Sequence, residues 1–350
     1  MGNMSNLAKS RGARVLVTGS TGSVGSAVTN EILKAGLKVR AIVRNLEKGE
    51  YLSDVVGERY GPDAFEIVHA ENFADRQVLE KAMMGCAGVV HMATDTSLGT
   101  SPELVITPTV DLARAVLEAA ANTPTVRRVF FTSSAATLPR LHEPVHITSS
   151  SWASEDVVRM AWSSSSPPPD QDQDVSSSTT EHDSTIMKSL LVYTASKIQA
   201  ERACWAFMSE GDPKHFVLNT VVPMTCLGAF VHPRLVSSMN GMLLGTCATS
   251  TSRTWGCCTF AALVLDDVRG ERVVAMGEVF GFEDVLDVMR RIDPERDLPG
   301  TESSSSSPMV EGAAATIERG RYRELLARMG KGEPMGLEGS IRRAVATSSS

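Results

Sequence analysis

The chain has 350 residues and a formal net charge of −7, with 42% hydrophobic and 21% charged residues. This composition is ordinary for a globular protein with a large core, and no basic tract of the kind that binds nucleic acid stands out. No apolar run approaches the length of a membrane span, and residues 1–13 lack the apolar core of a secretory signal, so we predict a cytoplasmic protein without nucleic-acid or membrane partners.

The first predicted unit, residues 14–44, combines a strand, a glycine-rich turn, a helix and a second strand. Residues 15–17 form a short apolar run, which is typical of a strand buried on both faces. Residues 38–43 read as the second strand, and between the two strands apolar residues recur at helical spacing from Val24 to Leu33. This order of elements within about 30 residues predicts one βαβ unit.

Three glycines mark the turn of this unit, Gly19, Gly22 and Gly25, in the spacing G-x-x-G-x-x-G. Glycine allows a tight turn, a close approach of the backbone to a pyrophosphate, and close packing of the helix on the strand. The start of the following helix offers free N–H groups and the positive end of its dipole to the phosphates. The strand–turn–helix context favours a dinucleotide site over the alternative of a glycine-rich surface turn.

The end of the second strand indicates which dinucleotide is bound. Units that bind NAD carry an Asp or Glu about 20 residues beyond the glycines, where it accepts a hydrogen bond from the ribose 2′-hydroxyl. Here no carboxylate occurs between Lys38 and Asn45; Arg44 occupies that place and Arg40 is close by. A guanidinium suits a 2′-phosphate, so NADP(H) is favoured over NAD(H), although a solvated strand-end charge is the simpler alternative.

Strands and helices continue to alternate after residue 44, which predicts a parallel sheet covered by helices on both faces. Further strands are predicted at residues 65–69, 88–92, 126–132, 216–222 and 272–275. Helices are predicted at residues 75–84, 106–121, 235–244 and 282–292, with a helix and a loop in the polar segment 47–62.

Ser134 directly follows the fifth predicted strand. The carboxyl edge of an open α/β sheet is where such folds bind their ligands. A serine at a strand end is as often a turn former or a cap, so its position alone leaves both roles open.

Residues 163–185 differ in composition from the rest of the chain. They are rich in Ser, Pro and Asp and almost free of apolar side chains, with Trp152 and Trp162 on the N-terminal side. A segment of this kind cannot bury enough apolar surface to fold by itself, so we predict a disordered surface insertion there.

Tyr193 and Lys197 lie one turn apart on a predicted helix that opens at Tyr193, with the sequence YTASKIQAERACWAFM. A phenol has an ordinary pKa near 10, and a neighbouring ammonium favours the phenolate and lowers that pKa. Such a tyrosine can deliver a proton to a carbonyl oxygen while a hydride reaches the carbon. The spacing also occurs by chance in amphipathic helices, but the nucleotide unit upstream favours the catalytic interpretation.

Six cysteines occupy positions 86, 204, 226, 247, 257 and 258. They show neither the spacing of a metal site nor a C-x-x-C pair. We therefore expect reduced, mostly buried thiols and no metal centre.

Several motifs in order along the chain resemble one known family. They are VLVTGSTGSVGSAV, KVRAIVRN, GVVHMAT, VRRVFFTSSAAT, YTASKIQAERACW, VVPMTCLG and RGERVVAMGEVFGFEDVL. The chain thus resembles the extended short-chain dehydrogenase/reductases of the NAD-dependent epimerase/dehydratase superfamily, in particular dihydroflavonol reductases and fungal aldehyde or ketone reductases. The resemblance implies an α/β fold, a Rossmann-type doubly wound parallel sheet over residues 1–225 with a smaller C-terminal substrate lobe over residues 226–350.

The resemblance also implies roles for individual residues. Ser134 would bind the substrate carbonyl, Tyr193 would protonate it, and Lys197 would hold the nicotinamide ribose and lower the pKa of Tyr193. Asn72 and Phe73 stand where the family carries Asp and an apolar residue at the adenine. The residues expected at the cofactor are Thr18, Gly19, Thr21, Gly22, Ser23, Val24, Gly25, Arg44, Asn72, Phe73, His91, Ala93, Thr94, Tyr193, Lys197 and Pro223.

The chain departs from the family pattern near residues 260–270. Leu265–Val268 is similar to an aspartate motif of the family, after which relatives carry an apolar helix before a G-E-R strand. Here Gly270, Glu271 and Arg272 follow almost at once. We therefore expect a strand and most of a helix to be missing, and the substrate lobe to be incomplete.

Taken together, these patterns predict an NADPH-dependent reductase of small or medium aldehydes or ketones, as a monomer or a homodimer. One alternative is a non-catalytic NADP-binding sensor or a degenerate paralogue, which the expected deletion would favour. Another is a sugar-nucleotide epimerase or dehydratase, which the apolar, Met-rich C-terminal half disfavours.

Overall fold

Helices and strands alternate along the chain in a computed structural model, which describes residues 12–94, 98–139, 144–163, 180–227, 231, 249–277, 280, 282–295 and 315–348. The strands are β1 (Arg14–Thr18), β2 (Lys38–Val43), β3 (Phe65–His69), β4 (Cys86–His91), β5 (Arg128–Thr132), β6 (His146–Ile147), β7 (Val217–Pro223), β8 (Thr225–Leu227), β9 (Thr249–Thr251), β10 (Arg272–Ala275) and β11 (Thr316–Ile317). The helices are α1 (Ser23–Lys34), α2 (Leu46–Tyr60), α3 (Arg76–Met83), α4 (Pro102–Ala121), α5 (Glu155–Trp162), α6 (Thr180–Ser209), α7 (Ser252–Val264), α8 (Phe282–Ile292), α9 (Gly320–Arg328) and α10 (Leu337–Ser348).

Seven of the strands form one parallel sheet in the order β10-β7-β5-β4-β1-β2-β3. Side chains of a strand alternate between the two faces, so the apolar run of β1 serves both cores. Val15 and Val17 pack with α1, α2, α7 and α9 on one face, while Leu16 packs with α3, α4 and α6 on the other. The prediction of a doubly wound parallel sheet is confirmed, and its carboxyl edge collects the ends of β1, β4, β5 and β7.

Helix α6 begins earlier than the sequence predicted. It starts at Thr180 rather than Tyr193, so the last six residues of the expected disordered insertion are helical, and residues 164–179 lie outside the described part of the chain. Next to Tyr193 the helix is held by tertiary packing, because Val192 is buried against Val105 and Ile106 of α4. Burial of this face stabilises helical turns that the composition alone did not favour.

The expectation of a missing strand and helix near residue 260 is wrong. Strand β9 and the 13-residue helix α7 directly precede Leu265, and β10 then pairs with β7. The segment that was similar to an aspartate motif is a loop, fixed by the side chains of Asn219 and Arg128, which both donate to the carbonyl of Val268. The helix is thus present, ahead of this loop instead of behind it.

The boundary predicted at residue 225 stays a prediction, and several elements that follow it pack on the large sheet. Strand β10 completes the large sheet, and α7 and α9 cover one face of it with Leu263, Tyr322 and Leu325. The described residues that pack apart from the sheet are mainly those of α8 and α10, through Val288, Met289 and other apolar side chains. The helix predicted at residues 235–244 lies outside the described residues.

Two minor sheets complete the topology, β6 paired with β11 and β8 paired with β9, both parallel. No helix within the described ranges is long and apolar enough to cross a membrane.

Candidate active site

The glycine turn between β1 and α1 has the geometry that its spacing predicted. Gly19 has φ 76°, and a Cβ added there would lie 2.8 Å from the backbone nitrogen of Ala93. A Cβ on Gly25 would lie 1.9 Å from the carbonyl oxygen of Gly19, so only glycine lets α1 start this close to β1. Gly22 is the N-cap of α1 and has no side chain to occupy the space before the helix. Thr21, Ser23 and Val24 lie on the same turn and first helical residues.

Thr18 ties this turn to the neighbouring strand β4. Its hydroxyl lies 2.7 Å from Nδ1 of His91 and accepts from the backbone N–H groups of Met92 and Ala93. His91 is buried, and burial together with the charge of Lys197 lowers its pKa to about 3, so the imidazole is neutral. His91 was expected at the cofactor, but in the structure its contact is to Thr18, which it positions.

The residues expected at the adenine end lie together beyond β2 and β3. Arg44 is exposed, and its guanidinium lies 5.4 Å from the ring centroid of Phe73. The side chain of Asn72 accepts from the backbone N–H of Ala74. Arg40 is used elsewhere, because it donates to two carbonyls at the end of α3 and pairs with Glu66. Of the two arginines considered for a 2′-phosphate, only Arg44 is therefore free to meet one.

Ser134 and Tyr193 meet at the carboxyl edge of β5. Ser134 caps a short 3₁₀ turn, where its hydroxyl accepts from the backbone N–H of Ala136 at 3.2 Å. Burial raises the pKa of Tyr193, and a hydrogen bond with Ser134 opposes that rise only in part. The phenol therefore keeps its proton at neutral pH and can serve as a donor.

Lys197 lies one turn after Tyr193 and is buried. Its ammonium donates to the carbonyl of Thr132 at 2.9 Å and lies 5.3 Å from the ring centroid of Phe131. Burial lowers the pKa of Lys197 to about 8, while the carboxylate of Glu201 acts in the opposite direction. The expected lowering of the tyrosine pKa is not found, since in this structure the ammonium is held by Thr132 and the pKa of Tyr193 is raised.

The remaining candidates line the same edge. Ala93 and Thr94 follow β4, and Pro223 ends β7 opposite Ala275 of β10. The hydroxyls of Thr94 and Thr132 are buried with no hydrogen-bond partner among the described residues. Buried hydroxyls of this kind suit a polar ligand. Together with the open glycine turn and the free Arg44, they fit a phosphorylated dinucleotide laid along the carboxyl edge.

Sequence reasoning missed one group next to this site. Glu201, one further turn along α6, is fully buried and bonded to Ser133, Thr220 and Arg272. The signal that was available is the i, i+4 continuation from Lys197 to Glu201 in SKIQAE. Its partners come from distant parts of the chain, so the sequence did not show that the carboxylate is buried.

Comparisons with known proteins agree with this geometry. Residues 15–247 match the model of the NAD dependent epimerase/dehydratase family. The chain is 30% identical over 317 residues to aldehyde reductase 2 of Sporidiobolus salmonicolor, covering 85% of this chain and 87% of that protein. It is 32% identical over 234 residues to a dihydroflavonol 4-reductase of Zea mays, covering 64% of this chain and 56% of that protein.

A solved structure of similar fold is the yeast methylglyoxal/isovaleraldehyde reductase Gre2 complexed with NADPH. It superposes with a TM-score of 0.74 and covers 96% of this chain and 98% of that one. The identity is 19%, so this likeness describes the fold.

Proposed function

Because the chain belongs to the NAD dependent epimerase/dehydratase family, we propose that it is an NADPH-dependent oxidoreductase that reduces the carbonyl group of a small or medium aldehyde or ketone. Membership confirms the resemblance seen in the motifs. The observation that carries the proposal is that the hydroxyls of Ser134 and Tyr193 interact at one sheet edge, with Lys197 one turn further and the glycine turn on the same edge. Aldehyde reductase 2, a relative over most of the chain, is named for this type of reaction.

The proposed cofactor site follows from the fit of the residues. The turn from Gly19 to Gly25 would cradle the pyrophosphate, with the start of α1 supplying N–H donors. Arg44, supported by Phe73, would bind the 2′-phosphate, and Asn72 would accept from the adenine amine. Ala93, Thr94 and Pro223 would line the remaining length, so that the nicotinamide reaches Tyr193.

In the proposed reaction, each catalytic side chain has one task. NADPH, when bound, supplies the hydride. The Ser134 hydroxyl binds the carbonyl oxygen of the substrate, and the Tyr193 phenol gives that oxygen its proton. The raised pKa of Tyr193 keeps the proton available before the reaction. The ammonium of Lys197, which lies on the same helix face, holds the ribose and stabilises the phenolate that remains.

Two alternatives remain as proposals of lower rank. A non-catalytic NADP-binding sensor is disfavoured because β9 and α7 are present ahead of Leu265. A sugar-nucleotide epimerase or dehydratase is disfavoured because the described C-terminal half offers mainly apolar clusters, such as that of α8 and α10. We place the protein in the cytoplasm as a monomer or a homodimer.

Replacement of Tyr193 by Phe tests the proposal directly. Tyr193→Phe removes only the hydroxyl, so turnover of every carbonyl substrate should fall by about 100-fold or more, since general acid catalysis contributes roughly that much. NADPH binding, followed by quenching of tryptophan fluorescence, should stay unchanged. Ser134→Ala should likewise reduce turnover and spare the cofactor, whereas Lys197→Ala should weaken both.

The matched control is Tyr60→Phe, which removes a phenol hydroxyl that donates to Asn30 far from the site. It should leave turnover unchanged. The proposed reductase function would be refuted if the unmodified protein binds NADPH but reduces no compound in a broad panel of aldehydes and ketones.

A further inference from the structure

We propose that Glu201, paired with Arg272, is a positioning residue that holds Ser134 and Lys197 in register for carbonyl reduction, an inference that rests on the proposed function. Nothing in the family match assigns this pair. Neither residue lies on the carboxyl edge of the sheet with the glycine turn. Both are buried behind it, with side chains 0% and 6% exposed.

The carboxylate of Glu201 connects three elements to α6. One oxygen accepts from the hydroxyl of Ser133 at 2.5 Å, at the end of β5. The other accepts from Thr220 of β7 at 2.7 Å and from Nε of Arg272 in β10 at 2.8 Å. Helix α6 is therefore fixed against three adjacent strands at the level just below the catalytic side chains.

A second path from the pair reaches Ser134. Arg272 donates through Nη2 to the hydroxyl of Thr137 at 2.7 Å, and that hydroxyl donates to the carbonyl of Ser134 at 2.8 Å. Ser134 is thus held from both sides, through its neighbour Ser133 and through Thr137. Its extended backbone, with φ −155° and ψ 150°, is the conformation that these bonds select.

The carboxylate of Glu201 also affects the pKa of Lys197. Glu201 follows Lys197 by one turn and favours its charged form, against the burial that lowers the pKa of the lysine to about 8. The other groups that face Lys197 are the neutral His91 of β4, the ring of Phe131 on β5 and the buried thiol of Cys204. Among the described residues, Glu201 is therefore the carboxylate that opposes the effect of burial on the pKa of Lys197.

A purely structural role would not predict this arrangement. A buried ion pair adds little net stability, because desolvation of the two charges offsets their attraction. Here one oxygen of the carboxylate accepts from Ser133, next to Ser134, and the other accepts from Arg272, whose Nη2 reaches Thr137, as well as from Thr220 and Trp205. Removal of the negative charge of Glu201 should accordingly change kcat and the pKa of Lys197 more than it changes the affinity for NADPH.

The experiment compares Glu201→Gln with the unmodified protein in three measurements. In Glu201→Gln, kcat should fall about 10-fold or more while the dissociation constant for NADPH changes less than about threefold, since positioning errors act on the chemical step. The alkaline limb of the kcat/KM profile should move to lower pH. A ¹³C NMR titration of the Lys197 Cε signal, assigned with Lys197→Met, should show a pKa lower by about one unit, from loss of the neighbouring charge.

Glu271→Gln is the matched control, because Glu271 precedes Arg272 and forms a double hydrogen bond with Arg321 away from the site. It should lower stability without moving the pH profile. Glu201→Asp should restore the alkaline limb in part, since the charge is kept. If Glu201→Gln does not fold, Ser133→Ala removes one bond to the carboxylate, and it should lower kcat with NADPH affinity unchanged.

An unaltered kcat and an unaltered alkaline limb in Glu201→Gln would overturn the inference, as would an unchanged pKa of Lys197 in the NMR titration. The titration needs no substrate, so it decides the question even if the unmodified protein reduces no carbonyl compound. That last result would count against the proposed function instead.

Discussion

Arg44 should decide which nicotinamide dinucleotide is preferred. It is exposed at the end of β2 and lies over the ring of Phe73, and the sequence carries no carboxylate between Lys38 and Asn45 that would accept from a ribose 2′-hydroxyl. We expect NADPH to bind more tightly than NADH, and Arg44→Asp to reverse the order, because the new carboxylate repels a phosphate and accepts from a hydroxyl. Fluorescence titration with both dinucleotides measures the two constants.

Arg59→Asp is the control for this prediction, since it makes the same change of charge at the exposed last turn of α2. It should leave the preference for NADPH intact. Equal affinities of the unmodified protein for NADPH and NADH would refute the role of Arg44.

Local spacing explains why the sequence pointed to Tyr193, Lys197 and Ser134 as candidate catalytic residues, a role that stays a prediction. Tyr193 and Lys197 are one helical turn apart, and Ser134 ends a strand, so local spacing places each of them. Glu201 could not be recognised in the same way, because Ser133, Thr220 and Arg272 reach it only after the sheet has formed. The burial of His91 and the resulting low pKa depend on tertiary structure for the same reason.

At the scale of elements, the junction of β1 and α1 leaves no room for a side chain at Gly25. A Cβ there would lie 1.9 Å from the carbonyl oxygen of Gly19, and both partners are backbone, so neither can rotate away. Gly25→Ala should separate the helix from the strand and abolish NADPH binding. It should also lower the free energy of unfolding by about 1–3 kcal/mol through overpacking. Urea denaturation and fluorescence titration measure the two effects.

Gly57→Ala in α2 provides the contrast, because a Cβ at that position meets no atom within 4 Å. It should raise stability by about 0.5–1 kcal/mol, as alanine does in a helix, and leave binding unchanged. A Gly25→Ala variant that binds NADPH as tightly as the unmodified protein would contradict the proposed phosphate turn.

Element boundaries were less predictable than element types. The start of α6 was placed at Tyr193, because the preceding residues are polar and adjoin a low-complexity segment. The helix in fact continues back to Thr180, and Val192, near the middle of the helix, packs on α4. Similarly, Leu265–Val268 was mistaken for a motif that begins a helix, although Asn219 and Arg128 hold it as a loop that follows one.

At the scale of the whole molecule, His91 makes the stability depend on acidity. Burial lowers its pKa from 6.5 to about 3 in the folded protein, so between these values only the unfolded chain binds the proton. Stability is therefore complete above pH 6.5 and is lost as the pH falls towards 3. A fall from pH 7 to 5 should cost about 2 kcal/mol through this group alone.

Urea denaturation at pH 7 and pH 5 measures this loss. His91→Gln, which has no titrating imidazole, should lose about 2 kcal/mol less than the unmodified protein over the same interval. His146→Gln, at an exposed histidine, should lose as much as the unmodified protein. The same loss in all three proteins would show that His91 does not control the acid response.

The large sheet could be predicted from the sequence, but the position of β10 within it could not. Each βαβ unit is visible in the sequence as a local alternation of strand and helix. Strand β10, by contrast, pairs with β7 although it lies about 50 residues further along the chain. Because α7 and α9 then cover that end of the sheet, the polypeptide after residue 225 contributes to the same core as the polypeptide before it.

The hydroxyls of Ser134 and Tyr193 interact at the carboxyl edge of β5, although the two residues are 59 positions apart in the chain. Helix α6 carries the phenol about 20 Å from its own first residue, Thr180, at 1.5 Å per residue. Its packing on α4 and β5, and not the length of the chain that leads into it, sets where Tyr193 lies. We therefore expect insertions and deletions between Trp162 and Thr180 to leave the position of Tyr193, and with it the proposed proton transfer, unchanged.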